Sequence, residues 1–289
     1  MSTTRSTPEN YEVAIPSYKR VDTLLSKTLP LVIARGIDPE RITLFVDAEE
    51  LDAYRDAVPR HMYRDMVVVP TTITAARNKI VRHYPEGQLV LSFDDDLQDL
   101  ALRLNEKKII PLPSVHKLAV EAFGVMMDGG ASLWGIYPTG SPNPMFMQPT
   151  VTFGLRVIVG AFMGFRNRYD DIVDSRDKEE VQRTIMRFVD DRAICRYNFV
   201  GLKTKYYNAK GGHNAAPYVE GDKVTYRNVE RNNEDAVELV RRYPGYVTLN
   251  KKGRSQGDFW EVKMRPQLAR TTVFDLRSTI HEDGTWQLR

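Results

Sequence analysis

Short apolar runs alternate with longer amphipathic ones over the first hundred residues. YEVAIP (Tyr11–Pro16), ITLFVD (Ile42–Asp47), MVVVP (Met66–Pro70) and QLVLSF (Gln88–Phe93) are rich in β-branched and aromatic residues and predict four strands. Residues 20–35, EELDAYRDAV and TAARNKIVRHY have helical spacing. Asp22 stands near the start of the first helix and Gly36 after its end, and Pro30 is expected to kink or split it. Three of the four strands are continuous apolar runs, which suits strands covered by helices on both faces. The order βαβαβαβ predicts an α/β fold on an open, Rossmann-like, mostly parallel sheet, whose ligands sit outside the carboxyl ends of the strands.

Beyond residue 100 the pattern is less regular. PSVHKLAVEAFGVMMDGG predicts a helix ending at Gly129-Gly130, SLWGIYP a strand and TGSPNPMFMQP a loop. VTFGLRVIVGAFMGFRNR predicts one or two strands, and Glu179–Gly201 a mostly helical segment. KTKYYNAKGGHN reads as a strand and a glycine loop, NNEDAVELVRRYPG as a helix, and the remainder as a β-rich tail. This reading gives a disordered lead over residues 1–10, one domain over 11–215, and an extension over 216–289 packed on that domain.

Composition narrows the class. The chain has 289 residues, 42% hydrophobic and 27% charged, which is ordinary for a soluble globular protein. It contains no apolar run of about 18 residues that would span a membrane, and MSTTRSTPEN lacks the apolar core of a secretion signal. The single cysteine, Cys195, excludes an intrachain disulfide and Cys-based zinc sites; it reads as core on an apolar helical face. The expected location is the cytoplasm, of an infected or host bacterial cell if the chain is phage-encoded. The net charge of +3 divides unevenly: residues 201–289 hold 16 Lys and Arg against 11 Asp and Glu. A basic C-terminal part suits an anionic acceptor, and equally suits an uneven scatter of solvated charge.

The loops after the strands carry the candidate chemistry: Pro16-Ser17-Tyr18-Lys19-Arg20, Asp47-Ala48-Glu49, Pro70-Thr71-Thr72 and Asp94-Asp95-Asp96. No GxGxxG follows the first strand and no GxxxxGK[ST] occurs anywhere, which counts against a classical dinucleotide-binding protein and a P-loop NTPase. On an extended backbone Asp94 and Asp96 face one way and Asp95 the other. Such a pair suits Mg²⁺ or Mn²⁺ on a diphosphate. The competing reading is a polar turn capping a following helix. Asp190-Asp191 is either a general base or a pair of solvated or capping charges. His213, in GGHN, is either a third metal ligand or a surface-turn histidine.

In order, IPSYKR, the aspartate after strand two, TAARNKIV, LVLSFDDD and FVDDRAICRYNFVG resemble the nucleotide-sugar glycosyltransferases of the GT-A fold, over residues 11 to about 215. The resemblance implies a GT-A-like sheet with a C-terminal acceptor-side extension. It also implies a divalent ion held by Asp94 and Asp96 with His213, and a donor, a UDP-sugar, touched by Pro16, Ser17, Arg20, Asp47, Arg77, Asn78 and Asp95. The acceptor base would be Asp191, with Asp190 before it; this Asp-Asp replaces the commoner Glu-Asp and leaves inversion against retention open. AIPSYKR, DDD and YYNAKGGHN look most like the phage TET-associated glycosyltransferases, whose acceptor is a 5-hydroxymethylpyrimidine in DNA, here 5-hydroxymethylcytosine.

On that reading Lys203, Lys205, Lys210, Arg241, Arg242, Lys251, Lys252 and Arg254 would contact phosphates. Tyr206, Tyr207, Tyr243 and Tyr246 would stack on bases or, for most of them, pack. The alternatives are transfer to a polysaccharide, protein or small acceptor, a Mg²⁺-dependent nucleotidyltransferase, and a nucleic-acid-binding module with a decayed site. PSYKR lacks the glycine of a nucleotidyltransferase loop, and the retained acids speak against a decayed site.

Overall fold

The structure is a computed structural model that describes residues 7–105, 108–139, 150–203, 218–220, 223–225, 229–251, 260–265, 267, 275–276, 278–281 and 285–288. The first part runs β1 (Tyr11–Ser17), α1 (Val21–Ser26), α2 (Thr28–Ala34), β2 (Ile42–Asp47), α3 (Leu51–Ala57), β3 (Asp65–Val69), α4 (Ile73–His83) and β4 (Leu89–Phe93). Next come β5 (Asp99–Arg103), β6 (Ile109–Pro111), α5 (Val115–Asp128), β7 (Leu133–Tyr137), β8 (Val151–Thr152), β9 (Phe162–Arg166), α6 (Glu179–Asp191) and β10 (Cys195–Lys203). A hairpin of β11 (Tyr218–Glu220) and β12 (Lys223–Thr225) precedes α7 (Val229–Arg242). The chain continues with β13 (Val247–Lys251), β14 (Trp260–Met264), β15 (Asp275–Leu276), β16 (Ser278–Ile280) and β17 (Trp286–Leu288).

The central sheet has 11 strands, its main path ordered β15-β8-β10-β7-β9-β4-β1-β2-β3. The four early strands pair in parallel, β3 with β2, β2 with β1, and β1 with β4. β9 lies antiparallel between β4 and β7, so β7 again points the way β4 does, and β10 runs parallel to β7. The carboxyl ends of β4 and β7 therefore share one edge of the sheet. This is the expected α/β architecture of a mixed, mostly parallel sheet flanked by helices.

The continuous apolar runs are explained by two cores. Val13 and Ile15 of β1, with Leu89, Leu91 and Phe93 of β4, pack under α1, α2 and α5. The intervening Ala14 and Val90 face the other way, against Ala76 and Ile80 of α4 and Phe188 of α6. A third cluster joins Val181 and Ile185 of α6 to Leu239 of α7 and Val247 of β13, so α7 and β13 of the C-terminal extension pack on α6, while β15 joins the central sheet beside β8.

Three local expectations are corrected, and one, the split of the first helix near Pro30, is met. β1 passes through Pro16 to Ser17, because its pairing with β4 ends at Ala14 and Pro16 has no ladder bond to lose there. MVVV lies in β3, an edge strand with Val68 exposed, not one covered on both faces. The helix over 20–35 breaks at Lys27, where the ring of Pro30 excludes the carbonyl of Ser26, four residues earlier, from the helical ladder. The segment Glu179–Gly201 is helical only to Asp191. Arg192 takes a left-handed conformation at φ 57°, and β10 comes after it. Cys195 is buried core as expected, but in a strand. The lead over residues 1–10 falls mostly outside the described residues.

α6 is held to the sheet by charge. Arg183 and Arg187 donate to Asp171 Oδ2 at 2.5 and 2.6 Å, all three side chains being almost fully buried. Burial pushes the Asp171 carboxyl up, but Arg183 and then Arg187 more than offset this and hold it below the usual carboxylate range. Its stabilisation is full above the ordinary aspartate value of about 4 and drains away as pH falls through the depressed folded value. Asp171→Asn strands two buried guanidinium groups and should cost about 3–5 kcal/mol at pH 7 in urea denaturation, the gap from the parent narrowing below about pH 4.

Candidate active site

β4 ends at Phe93, and Asp94, Asp95 and Asp96 leave the sheet at its carboxyl edge. The next element is β5 rather than a helix, so the triplet is not a helix cap. The turn is pinned by Thr28, which donates to the Asp94 carbonyl at 2.8 Å and accepts from the Leu97 amide at 2.9 Å.

The three carboxylates part company. Asp94 accepts from Arg77 Nη2 at 2.6 Å and keeps its side chain 35% exposed. Asp95 turns inward. Ser17 Oγ donates to it at 2.7 Å and Arg20 at 3.3 Å, and burial pushes its carboxyl up to about 7 against those partners. Asp96 accepts from Arg20 at 3.1 Å, while burial and then the Asp94 carboxylate push its pKa up. Arg20 reaches both acids because Lys19 turns the loop in a left-handed conformation at φ 54°.

Among the described residues no three His, Cys, Asp or Glu side chains are grouped to hold a metal ion. Asp94 and Asp96 nevertheless fit a divalent cation bound through two carboxylates, with substrate phosphates and water completing its shell. They lie near enough for Asp94 to raise Asp96, a like-charge repulsion that such an ion relieves. The third expected ligand, His213, lies outside the described residues.

Two further acids stand at this edge that sequence reasoning missed. Arg77, 2% exposed, donates to Ser92 Oγ at 2.6 Å and to the Gly160 carbonyl at 2.7 Å as well as to Asp94. A Cβ on Gly160 would lie 3.1 Å from Arg77 Nη2, 3.5 Å from Glu179 Oε1 and 3.6 Å from Glu180 Oε2. The first turn of α6 thus brings two carboxylates to the Arg77–Asp94 pair, and glycine at 160 leaves room for them. Burial pushes Glu179 up, with Arg77 opposing. Burial, then Glu179 and Asp94, push Glu180 well above the usual carboxylate range. The sequence signal, Glu-Glu at a helix start, is what any helix with a favourable macrodipole shows.

The other expected site residues sit elsewhere or do other work. Pro16 and Ser17 are buried in β1, and the Ser17 hydroxyl is occupied by Asp95 and by the Tyr54 hydroxyl at 2.7 Å. Asp47 stands at the same sheet edge, accepting from the Glu49 amide at 2.9 Å and Thr71 Oγ1 at 2.7 Å. Arg77 is buried and holds Ser92, Asp94 and the Gly160 carbonyl. Asn78 clasps the Val173 backbone, donating at 2.7 Å and accepting at 3.0 Å, and ties α4 to the loop before α6.

Asp190 and Asp191 do not join the site. They end α6 while Glu179 and Glu180 begin it, and a helix rises 1.5 Å per residue, so roughly 16 Å separates the two pairs. Asp191 accepts from Ser132 Oγ and from Arg168 at 2.5 Å, beyond the carboxyl end of β9 and thus at the opposite sheet edge. The structure therefore does not bring Asp190 and Asp191, the expected base pair, to Asp94 and Asp96. Of the proposed phosphate contacts, Arg241 and Arg242 pair with Glu238 at 2.7 and 2.6 Å, and Arg242 also with Asp174 at 2.7 Å. Lys203 lies 3.7 Å from Asp99. Tyr243 and Tyr246 pack against the third cluster. Lys205, Tyr206, Tyr207, Lys210, Lys252 and Arg254 lie outside the described residues.

No protein-family model and no curated protein matches the sequence. Among solved structures the chain is similar to S. aureus TarS residues 1–349 in complex with UDP-GlcNAc, at 14% identity and a TM-score of 0.49, over 80% of this chain and 66% of that one. It is also similar to glucosyl-3-phosphoglycerate synthase from Mycobacterium tuberculosis, solved with Mn²⁺, UDP and glucosyl-3-phosphoglycerate, at 11% identity and 0.47, over 89% and 87%. A third similar structure is the mannosyltransferase PcManGT from Pyrobaculum calidifontis in complex with GDP-Man and Mn²⁺, at 11% and 0.40, over 68% and 59%. The chain thus spans just under two thirds of the TarS fragment's length, and with every score below 0.5 the chemistry here rests on this chain's own side chains.

Proposed function

We propose that this chain is a metal-dependent glycosyltransferase that moves a sugar from a nucleotide-sugar, a UDP-sugar, to the hydroxyl of a 5-hydroxymethylpyrimidine, 5-hydroxymethylcytosine, in DNA. The observation that carries the transfer reading is the meeting of two acid pairs at one sheet edge, Asp94 with Asp96 and Glu179 with Glu180, joined through the buried Arg77. One pair suits a cation on a diphosphate and the other a proton acceptor. The acceptor identity is supported by the sequence resemblance alone.

Mn²⁺ or Mg²⁺ at Asp94 and Asp96 would offset the charge growing on a departing diphosphate. Arg77 holds Asp94 in place, and Arg20 steadies Asp96 and the loop that carries it. Glu180 is the residue we assign as base: it takes the proton from the acceptor hydroxyl as that oxygen attacks the sugar. Its raised pKa makes it a stronger base than an ordinary glutamate once ionised.

Asp94→Ala and Asp96→Ala should each abolish Mn²⁺-dependent UDP binding in calorimetry; parent-like binding in both removes the metal assignment. Glu180→Gln should keep UDP binding and lower transfer by about 10²–10⁴-fold, whereas Asp190→Asn should transfer at the parent rate. Because Glu180 must lose its proton to act and its pKa is raised, transfer should climb with pH through a midpoint above about 4.3, the ordinary glutamate value. That limb should vanish in Glu180→Gln. The acceptor is tested by nucleoside mass spectrometry after incubating hydroxymethylated DNA with a panel of sugar nucleotides. A hexose-sized mass gain on the hydroxymethylated base is expected; no gain on any base points to a polysaccharide, protein or small acceptor.

A further inference from the structure

Most buried guanidinium groups among the described residues meet a carboxylate: Arg77 meets Asp94, and Arg183 and Arg187 meet Asp171. A cavity of about 490 Å³ at the opposite sheet edge is also lined by arginine, but there Arg168 is matched by Asp190 and Asp191. Arg196 differs. It is 7% exposed, its Nε donates to Asn198 Oδ1 at 2.7 Å, and its guanidinium lies 5.2 Å from the Tyr137 ring centroid. Among the described residues no acid pairs with it. The charged group nearest in effect is another arginine, Arg156, which adds to burial in driving Arg196 down to about 10. Arg156 is itself bonded only to the Leu155 carbonyl, at 3.2 Å, among the described residues. Two guanidinium groups that act on each other with no acid beside them among the described residues repel, and an anion reaching both would relieve that repulsion.

Their place in the fold narrows which anion would suit them. Arg196 pairs in register with Gly135 of β7, and Tyr137 closes β7 at the same sheet edge as Asp94. A Cβ on Gly135 would strike Ile158 at 2.4 Å, so glycine there lets the 154–160 segment lie against the sheet. That segment carries Arg156 at one end and Gly160, beside Glu179 and Glu180, at the other. The pair therefore stands on the base side of the transfer site, across from Arg20 and the loop after β1. We propose that Arg156 and Arg196 form a binding site for a phosphate group carried by the acceptor. This rests on the glycosyl-transfer reading for the word acceptor and on the two arginines alone for the phosphate. Tyr137 and Asn198 orient the Arg196 fork, and a phosphate accepts from two guanidinium groups at once.

The test uses the full chain, Arg196→Gln and Arg156→Gln. Each is titrated with inorganic phosphate by thermal shift, with UDP and Mn²⁺ by calorimetry, and with a short oligothymidylate at several salt concentrations. In the parent, phosphate should raise the melting temperature saturably. Either substitution should weaken that response at least tenfold while leaving UDP affinity unchanged, and Arg196→Gln without ligand should melt no lower than the parent. Oligothymidylate that competes with phosphate, with a salt slope about one unit smaller in each variant, marks a phosphodiester acceptor. Competition by glycerol phosphate but not by the oligonucleotide marks a small phosphorylated acceptor. A phosphate response unchanged in both variants overturns the proposal, as does an equal loss of UDP binding, which would give the pair to the donor. An unfolded Arg196→Gln together with a parent-like Arg156→Gln also overturns it, by making Arg196 structural. A parent that binds phosphate but not UDP with Mn²⁺ sinks the transfer reading and leaves the phosphate site standing.

Discussion

One buried guanidinium holds the site together. Arg77 comes from α4, and its three hydrogen bonds go to Ser92 in β4, to Asp94 just past that strand, and to the carbonyl of Gly160 in the segment before β9. A charge this deep is tolerated only when its partners are in place, and removing one leaves an uncompensated ion. Arg77 therefore couples three parts of the chain: the α4 helix, the carboxyl end of a central strand, and the loop that borders α6. Asp94 can stay partly exposed at the sheet edge because Arg77 holds it from the buried side.

The rest of the site is arranged around that anchor by two rigid elements. The loop after β1 supplies Arg20, which bridges Asp95 and Asp96 and turns the middle aspartate into the core. α6 then acts as a strut. Its amino end carries Glu179 and Glu180 to the Arg77–Asp94 pair, and its carboxyl end carries Asp190 and Asp191 to Arg168. The middle of the same helix is fixed by the Asp171 pair with Arg183 and Arg187. The helix thus separates two acid pairs of similar composition into different environments: one repelled by neighbouring carboxylates, the other matched by arginine and serine.

Legibility tracks periodicity. Strands such as ITLFVD and QLVLSF can be read because both faces are apolar and the flanking segments repeat at helical spacing. The helix break near Pro30 is legible for the same local reason. RYNFVG passes for helix because its predecessor, EEVQRTIMRFVDD, is strongly amphipathic and nothing in the composition marks the left-handed turn at Arg192. MVVV passes for a covered strand because an edge strand and a central strand can share a sequence, and only the neighbour on the far side distinguishes them.

By itself, the sequence determined the order of elements in the first half, the carboxyl-edge location of Asp94-Asp95-Asp96, and the opposite facing of Asp95 within the triplet. Each comes from the chain's local geometry, since side chains alternate along an extended backbone and a strand delivers its next residues to its own end. Only the tertiary structure decided which acids meet. Asp191 and Glu180 are both acids in the same helix, and no local property assigns one to Asp94 and the other to Arg168. That choice is set by the direction in which α6 crosses the sheet and by the buried ion pairs that fix it there, contacts between residues far apart in the chain.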